Sequence, residues 1–204
     1  MPEDFPGSAN GSFLEALSPN LTKDEPTRLV QRKTAGVAVI FRNLGRDEEV
    51  LIISRAERKD DPWSGQAVFP GGMKSAKDRN FEETARRETA EEVGIDLSKG
   101  AAFLGYMRDL KAGTRDVVVV PSVYRMDAEA AVTPSEEVAS FMWVPLKELA
   151  GKEARSTYLL RRGGMEIPFP SLVYRGLVIW GLTERILSAI ISNPTETDPD
   201  GSAR

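Results

Sequence analysis

The segment from Gly71 to Ile95 constrains the fold and chemistry of this 204-residue chain more than any other. It opens with two glycines and then predicts a helix from about Asn80 to Val93, with Asn80 as N-cap and Gly94 as C-cap. At about 100° per residue, one narrow stripe of that helix carries Phe81, Ala85, Glu88 and Glu92. The stripe begins apolar, as a core-facing stripe does, and turns acidic while it still points inward.

Inward-pointing carboxylates lose their hydration and need a positive partner. Two interpretations stay open. In the first, the segment is a solvated acidic helix held by ion pairs four residues apart, namely Glu82–Arg86, Glu83–Arg87 and Arg87–Glu91. In the second, a hard cation such as Mg²⁺ binds the three carboxylates of Glu88, Glu91 and Glu92 and shares a phosphate-bearing substrate.

The charged end of this segment resembles the signature of the Nudix hydrolases. The run Arg87-Glu88-Thr89-Ala90-Glu91-Glu92-Val93-Gly94 matches that family's Arg-Glu-x-x-Glu-Glu-x-Gly without a gap or a change at a charged position. The spacer before Arg87 is one residue longer than in the commonest form and carries Asp78 where Glu is usual, which resembles the branch related to coenzyme A pyrophosphatases. The resemblance covers roughly residues 34 to 192 and includes Gly65–Gly72 and Ile179–Thr183.

The resemblance implies an α/β fold, a Nudix-type α/β/α sandwich with a mixed β-sheet. It implies that Mg²⁺ or Mn²⁺ binds Glu88 and Glu92, with Glu91 and the Gly71 carbonyl as further ligands. A plain glycine turn without a ligand role is the alternative at Gly71. Arg87 is expected to orient a site carboxylate, because a guanidinium cannot bind a cation.

Glu136 and Glu137 precede the strand that ends in Trp143-Val144-Pro145, where Nudix relatives often place an acidic residue near the metals. Solvent exposure is the alternative for these loop residues. The resemblance therefore gives an expected catalytic set of Arg87, Glu91, Glu92 and Glu137. The group that accepts the proton of the attacking water stays open among Glu91, Glu92, Glu136 and Glu137.

The expected reaction is metal-dependent hydrolysis of a diphosphate linkage in a nucleoside diphosphate joined to another moiety. Coenzyme A, ADP-ribose, dinucleoside polyphosphates and nucleoside triphosphates all present such a diphosphate. The alternative is a non-catalytic Nudix-fold module that binds nucleotides as a sensor. All three motif glutamates are present, which favours the enzyme. Nudix relatives are frequently dimers, so a homodimer is a further expectation.

The loop Arg55–Trp63 is polar. Its Arg55, Arg58 and Lys59 are either solvated surface or a wall that binds substrate phosphates. Coenzyme A-directed relatives carry a His-containing motif just before the Gly-Gln pair, whereas this chain has Asp61-Pro62-Trp63 there. This difference weakens any transfer of coenzyme A specificity.

Composition removes several classes of chemistry. The chain has no histidine and no cysteine, which excludes a His general base, a Ser-His-Asp triad, His-ligated zinc, disulfides and thiolate metal sites. A net charge of −4 argues against a dedicated nucleic-acid surface. Neither a transmembrane run nor a signal peptide is visible, so we expect a soluble, cytoplasmic protein without a membrane partner.

Hydrophobic patterning predicts one domain over residues 31–192, between a partly flexible extension (1–30) and a flexible tail (193–204). The predicted strands are a hairpin of Lys33–Arg42 and Glu49–Ser54, then Ala101–Arg108, Asp116–Arg125 and Ser140–Val144. Pro121 is expected to mark an edge strand or a bulge. Later segments are predicted as a short helix from Pro145, a turn-like stretch over Glu153–Gly164, and a helix from about Gly176 to Ser192.

Overall fold

The computed structural model describes residues 12–26, 33–43, 47–58, 64–112 and 116–192. Its α-helices are α1 (Phe13–Leu17), α2 (Phe81–Val93), α3 (Leu146–Ala150) and α4 (Gly181–Ile191). Its strands are β1 (Lys33–Arg42), β2 (Glu49–Arg55), β3 (Ala67–Val68), β4 (Gly71–Met73), β5 (Ala101–Tyr106), β6 (Leu110–Lys111), β7 (Val117–Met126), β8 (Val138–Pro145), β9 (Arg155–Arg162), β10 (Met165–Tyr174) and β11 (Leu177–Trp180). The predictions for residues 1–11, Lys59–Trp63 and the tail 193–204 lie outside the described residues.

Eight strands form one mixed sheet. Its main path is β3-β2-β1-β7-β5, with β4 paired to β1, β6 to β7 and β8 to β2. β1 and β7 are parallel, from Lys33 opposite Val117 onward, whereas the hairpin of β1 and β2 is antiparallel, with Phe41 opposite Val50. A parallel pair requires a long connection, and the connection between β1 and β7 contains α2. The predicted hairpin is confirmed.

Both faces of the sheet are buried. Successive side chains of a strand point to opposite sides, so alternate residues of one strand pack in different clusters. On one side, Val39 packs in a cluster with Ile186 of α4, and α1 and α3 contribute to the same cluster. On the other side, Ile40 packs in a cluster with Ala85 of α2. The predicted α/β/α sandwich with a mixed sheet is thereby confirmed. Within the described ranges, no helix is long and apolar enough to cross a membrane.

The region after α3 differs from its prediction. The basic stretch predicted to be turn-like is strand β9, and β9, β10 and β11 form a separate three-stranded antiparallel sheet. Gly163 and Gly164 form the β9–β10 turn with φ of 58° and 78°, a conformation that glycine adopts without strain. The closing helix begins at Gly181 rather than near Gly176, because the apolar run Leu177–Trp180 is a strand paired with β10.

Pro121 was expected to mark an edge strand or a bulge, and the edge alternative is wrong, because β7 lies between β1 and β5. Pro121 instead lies opposite the break between β5 and β6, and its carbonyl accepts a hydrogen bond from the Met107 N–H at 2.9 Å. The N–H and C=O of one strand residue point the same way. The N–H that proline lacks therefore faces a segment that belongs to neither strand, and no ladder bond is lost.

Candidate functional site

Helix α2 has the predicted ends and the predicted inward stripe. The Asn80 side chain accepts a hydrogen bond from the Glu83 N–H at 2.8 Å, and Gly94 ends the helix in the left-handed conformation. Phe81 and Ala85 are buried in the core, and the Glu92 side chain beyond them is only 4% exposed. The acidic part of the stripe therefore points into the protein.

Two glycines of β4 allow the backbone to approach these glutamates. A β-carbon at residue 72 would lie 2.5 Å from the Glu88 carboxylate, so only glycine leaves room for it. A β-carbon at residue 71 would collide with the backbone of β1 at Gly36 and Val37. The Gly71 N–H in turn donates a hydrogen bond to the Glu92 carboxylate at 2.9 Å. The backbone of β4 thus approaches both the Glu88 and the Glu92 carboxylates closely.

Glu92 is held by two donors. Besides the Gly71 N–H, Nη1 of Arg55 lies 3.2 Å from its carboxylate. Burial nevertheless raises the pKa of Glu92 to about 7, because loss of hydration outweighs the hydrogen bond from Gly71 and the attraction of Arg55. Burial likewise raises the pKa of Glu88, against the pull of Arg87. These two carboxylates are therefore costly to keep ionised even beside Arg55 and Arg87.

Arg87 ties the acidic helix to the loop before it. Its Nη1 donates to Glu88 at 2.7 Å and to Glu91 at 3.1 Å, while Nε and Nη2 donate to Asp78 at 3.1 and 3.0 Å. The hydrogen bonds from Arg87, followed by those from Ser75 and Thr84, hold the pKa of Asp78 at about 2, against the effect of burial. Arg87 thus positions two site glutamates at once. Its role in catalysis stays a prediction.

Two of the three predicted ion pairs along the helix are present. Glu82 pairs with Arg86 and Arg87 pairs with Glu91. Glu83 pairs with Arg79 instead of Arg87, because Asp78 draws the Arg87 guanidinium away. The prediction of the Glu83–Arg87 pair is wrong for that reason.

The loop before β8 closes the site. The Ser135 N–H donates to the Glu92 carbonyl at 2.9 Å, which fixes this loop against the end of α2. The Ala56 N–H donates to the Glu137 carbonyl at 2.9 Å, and the Arg58 guanidinium lies 3.0 Å from the Glu137 carboxylate. The ends of α2, β2 and this loop therefore meet at one place.

These elements enclose a cavity of about 370 Å³, which we call the acidic cavity. Its described lining consists of Ser135, Arg58 and five glutamates, Glu88, Glu91, Glu92, Glu136 and Glu137. Among these described residues, five carboxylates face one cation. Of the other predicted site residues, Gly71, Arg55 and Arg87 do not line the cavity but contact carboxylates that do.

The donor set suits a divalent ion such as Mg²⁺, which prefers carboxylate oxygens. Within the described part of the chain, no three acidic side chains are close enough together to enclose a metal ion as they stand. Each of Glu88, Glu91, Glu92 and Glu137 instead contacts an arginine. The fit rests on the chemistry of the lining and on the raised pKa values of Glu88 and Glu92, because a cation would remove the cost of their ionisation.

Asp78 and Ser135 were missed as site residues. Asp78 entered the sequence argument only through its spacing, although it is buried and anchors Arg87. Its position just before the N-cap of α2 was the available signal, since a residue there lies near the first turns of the helix. Ser135 carries no sequence signal, because its place on the cavity wall depends on how the loop packs.

Comparison with known proteins gives one matching family, described as the NUDIX domain, over residues 31–162. A protein named uncharacterized Nudix hydrolase NudL from Yersinia enterocolitica is 32% identical over 156 residues, which cover 74% of this chain and 76% of that protein. The peroxisomal coenzyme A diphosphatase ndx-8 of Caenorhabditis elegans is 29% identical over 139 residues, 67% of this chain and 59% of that protein. An uncharacterized protein of Schizosaccharomyces pombe, C14C4.10c, is 37% identical over 114 residues, 52% of this chain.

The chain spans 35% of the length of the S. pombe protein and 59% of the length of the C. elegans protein. Among solved structures, a C. elegans Ap4A hydrolase binary complex matches with a TM-score of 0.47 and 20% identity, covering 56% of this chain and 81% of that one. The NUDIX domain of Shewanella oneidensis NrtR complexed with ADP ribose matches with a TM-score of 0.46 and 22% identity, covering 61% of this chain and 79% of that one.

Proposed function

The chain belongs to the Nudix hydrolase family, and from this premise we propose that it is a metal-dependent enzyme that hydrolyses a diphosphate linkage. The substrate would be a nucleoside diphosphate joined to another moiety, such as coenzyme A or ADP-ribose. A coenzyme A diphosphatase among the relatives supports this substrate class. The difference at Asp61-Pro62-Trp63 is the reason to test substrates beyond coenzyme A.

One observation carries the proposal: among the described residues, five glutamates and a single arginine line the acidic cavity. Carboxylates gathered in this way repel one another, and burial adds a further cost at Glu88 and Glu92. A solvated acidic helix would place Glu88 and Glu92 in water, whereas their side chains are only 17% and 4% exposed. The arrangement is typical of a site that binds a cation and, through it, a polyanionic substrate.

Glu88, Glu91 and Glu92 would hold Mg²⁺ or Mn²⁺, with the Gly71 carbonyl as a further ligand. When bound, the ion would neutralise the diphosphate and acidify the attacking water. Arg87 would keep the Glu88 and Glu91 carboxylates oriented, as its contacts of 2.7 and 3.1 Å support. The four candidate proton acceptors, Glu91, Glu92, Glu136 and Glu137, all line the cavity.

The two predicted substrate arginines have different surroundings. Arg58 and Glu137 are 47% and 49% exposed in their side chains, so their ion pair is weak and Arg58 can exchange it for a phosphate at little cost. Arg55 is 21% exposed and contacts the buried Glu92. We therefore assign Arg58 to the substrate phosphates, and we assign Arg55 primarily to the orientation of Glu92.

The test is cleavage of a substrate panel with Mg²⁺, comparing the wild type with Glu92→Gln. The panel contains coenzyme A, ADP-ribose, a dinucleoside polyphosphate and a nucleoside triphosphate. We expect turnover of at least one substrate and a loss of several orders of magnitude in Glu92→Gln. Glu83→Gln is the matched control, because Glu83 is on the same helix but pairs with the exposed Arg79.

Two results contradict the proposal. If no substrate is cleaved while a nucleotide binds equally well to wild type and Glu92→Gln, the chain is a nucleotide-binding module. If both glutamate variants lose activity equally, the effect comes from the helix and not from the cavity.

A further inference from the structure

A second cavity, of about 440 Å³, is not used by the diphosphate chemistry. One wall is the face of the three-stranded sheet that carries Tyr158 and Trp180, and the other is the β2–β3 region with Ser54, Ser64 and Gln66. Its described lining includes no charged side chain. We call it the aromatic cavity. Its volume is in the range of small-molecule sites, about 300 to 1,000 Å³.

The aromatic wall is preorganised. Tyr158 is opposite Phe169 on β10, and Trp180 is opposite Ser171 two residues further along that strand, so the aromatic side chains emerge on one face of the sheet. The rings of Tyr158 and Trp180 stack with centroids 4.3 Å apart and planes 19° apart, and Phe169 supports Trp180 at 5.5 Å. Stacked rings of this kind are rigid and offer a flat apolar surface.

The two cavities share the chain segment after β2. The Arg58 N–H donates to the Ser64 hydroxyl at 2.8 Å, and the Arg55 N–H donates to the Gln66 carbonyl at 3.0 Å. Arg58 lines the acidic cavity, whereas Ser64 and Gln66 line the aromatic cavity. The two cavities are therefore adjacent, and a substrate whose diphosphate lies near Arg58 can extend one of its organic ends into the aromatic cavity.

We propose that the aromatic cavity binds the nucleobase of the substrate, an inference that rests on the proposed function. A base is flat and uncharged, so it stacks on an aromatic platform. Such stacking accommodates any base and contributes substantially to binding. The Ser54 and Ser64 hydroxyls, which line the cavity, can each donate a hydrogen bond to the polar edge of a base. The described part of this lining carries no charge, which suits a neutral group better than a phosphate or a carboxylate.

The experiment compares two probes that cannot be hydrolysed: α,β-methylene-ADP, which carries a base, and methylenediphosphonate, which does not. Their dissociation constants are measured by calorimetry with Mg²⁺ on the wild type, Tyr158→Ala and Trp180→Leu. We expect the wild type to bind α,β-methylene-ADP at least about tenfold more tightly than methylenediphosphonate. Both variants should lose most of this ratio through weaker binding of the nucleotide alone.

Leu159→Ala is the matched control, because Leu159 lies on the same strand, is 49% exposed and projects from the opposite face to Tyr158. It should keep the wild-type ratio. Unchanged binding of methylenediphosphonate shows that a variant is folded. Equal binding of the two probes by the wild type, or a ratio that survives in both aromatic variants, would overturn the inference. An alkyl ester of methylenediphosphonate that gains as much affinity as the nucleotide would assign the cavity to an apolar chain instead.

A second measurement does not depend on substitution of the cavity. The chain has three tryptophans, so 5-fluorotryptophan labelling gives three fluorine resonances, and Trp180→Phe identifies that of Trp180. α,β-Methylene-ADP should shift this resonance, whereas methylenediphosphonate should not. No shift at saturating nucleotide overturns the inference, whether or not the protein hydrolyses any substrate. A shift of the Trp180 resonance without hydrolysis of any substrate would contradict the proposed function but would still support binding of the base in the aromatic cavity.

Discussion

The carboxylate of Glu88 lies directly against the α-carbon of Gly72, in the space that any other residue would fill with a β-carbon. That atom would be 2.5 Å from both Cδ and Oε1 of Glu88. Gly72 is outside the left-handed region, so the backbone itself accepts alanine there. Glycine is thus required at residue 72 by the carboxylate and not by the turn.

Gly72→Ala is predicted to reduce metal-dependent hydrolysis by at least about tenfold, because Glu88 must rotate out of its place and tenfold corresponds to about 1.4 kcal/mol. The thermal midpoint should change little, since only the end of a flexible side chain moves. Gly151→Ala is the control: its β-carbon would approach a glutamate oxygen, that of Glu153 at 3.0 Å, away from the acidic cavity. Wild-type activity in Gly72→Ala would show that Glu88 does not work from this position.

Asp78 is predicted to make stability depend on pH. Its pKa is held at about 2 in the folded protein, chiefly by hydrogen bonds from Arg87, and is near 3.9 when unfolded. A lowered pKa stabilises the fold above the unfolded value, and the contribution is lost as pH falls through the folded value. The difference of about two pKa units corresponds to about 3 kcal/mol at pH 7 and roughly half of that at pH 3.

Urea unfolding of wild type and Asp78→Asn at these two pH values measures the effect. The difference in the free energy of unfolding should be largest at neutral pH and shrink toward pH 3. Asp127→Asn removes an exposed pair with Arg125 and, as the control, should change the free energy of unfolding by less than about 1 kcal/mol. If the difference in the free energy of unfolding grows as pH falls, the predicted direction of the pH dependence is wrong.

Arg87→Lys is predicted to lower turnover by at least about tenfold. Arg87 makes contacts with Asp78, Glu88, Glu91 and the Met73 carbonyl through a planar fork, and a lysine ammonium cannot make them together. Steady-state kinetics should show the loss in kcat, because the glutamates lose their orientation. Arg79→Lys, on an exposed i, i+4 pair with Glu83, should behave as wild type. Equal kinetics for the two variants would contradict the positioning role assigned to Arg87.

Asn80→Ala is predicted to destabilise the protein by about 1 kcal/mol, the typical cost of losing an N-cap. The side chain accepts from the Glu83 N–H, which α2 cannot satisfy internally. Asn80→Ser retains an acceptor and should recover most of the loss in a urea titration. If Ala and Ser variants are equally stable, the cap bond contributes nothing and the end of α2 is held by packing alone.

Features that depend on neighbours along the chain could be predicted from the sequence. The bounds of α2 followed from Asn80 and Gly94, and the acidic inward stripe followed from helical spacing, because both are set within a few residues. Strands β1 and β2 followed from their apolar runs. The second sheet could not be predicted in this way. A short apolar run such as Leu177–Trp180 fits a helix or a strand, and only pairing with β10 decides between them.

The sequence by itself determined the family, the helix and the glutamates that it presents, since a motif of eight adjacent residues carries that information. For pairs that join different elements, tertiary structure alone decided which cation meets which carboxylate. Arg55 reaches Glu92 across 37 residues and Arg58 reaches Glu137 across 79, and Asp78 rather than Glu83 takes Arg87. The physical reason is that a hydrogen bond requires contact within about 3 Å. Spacing along the chain fixes such distances inside one helix but not between elements that only folding brings together.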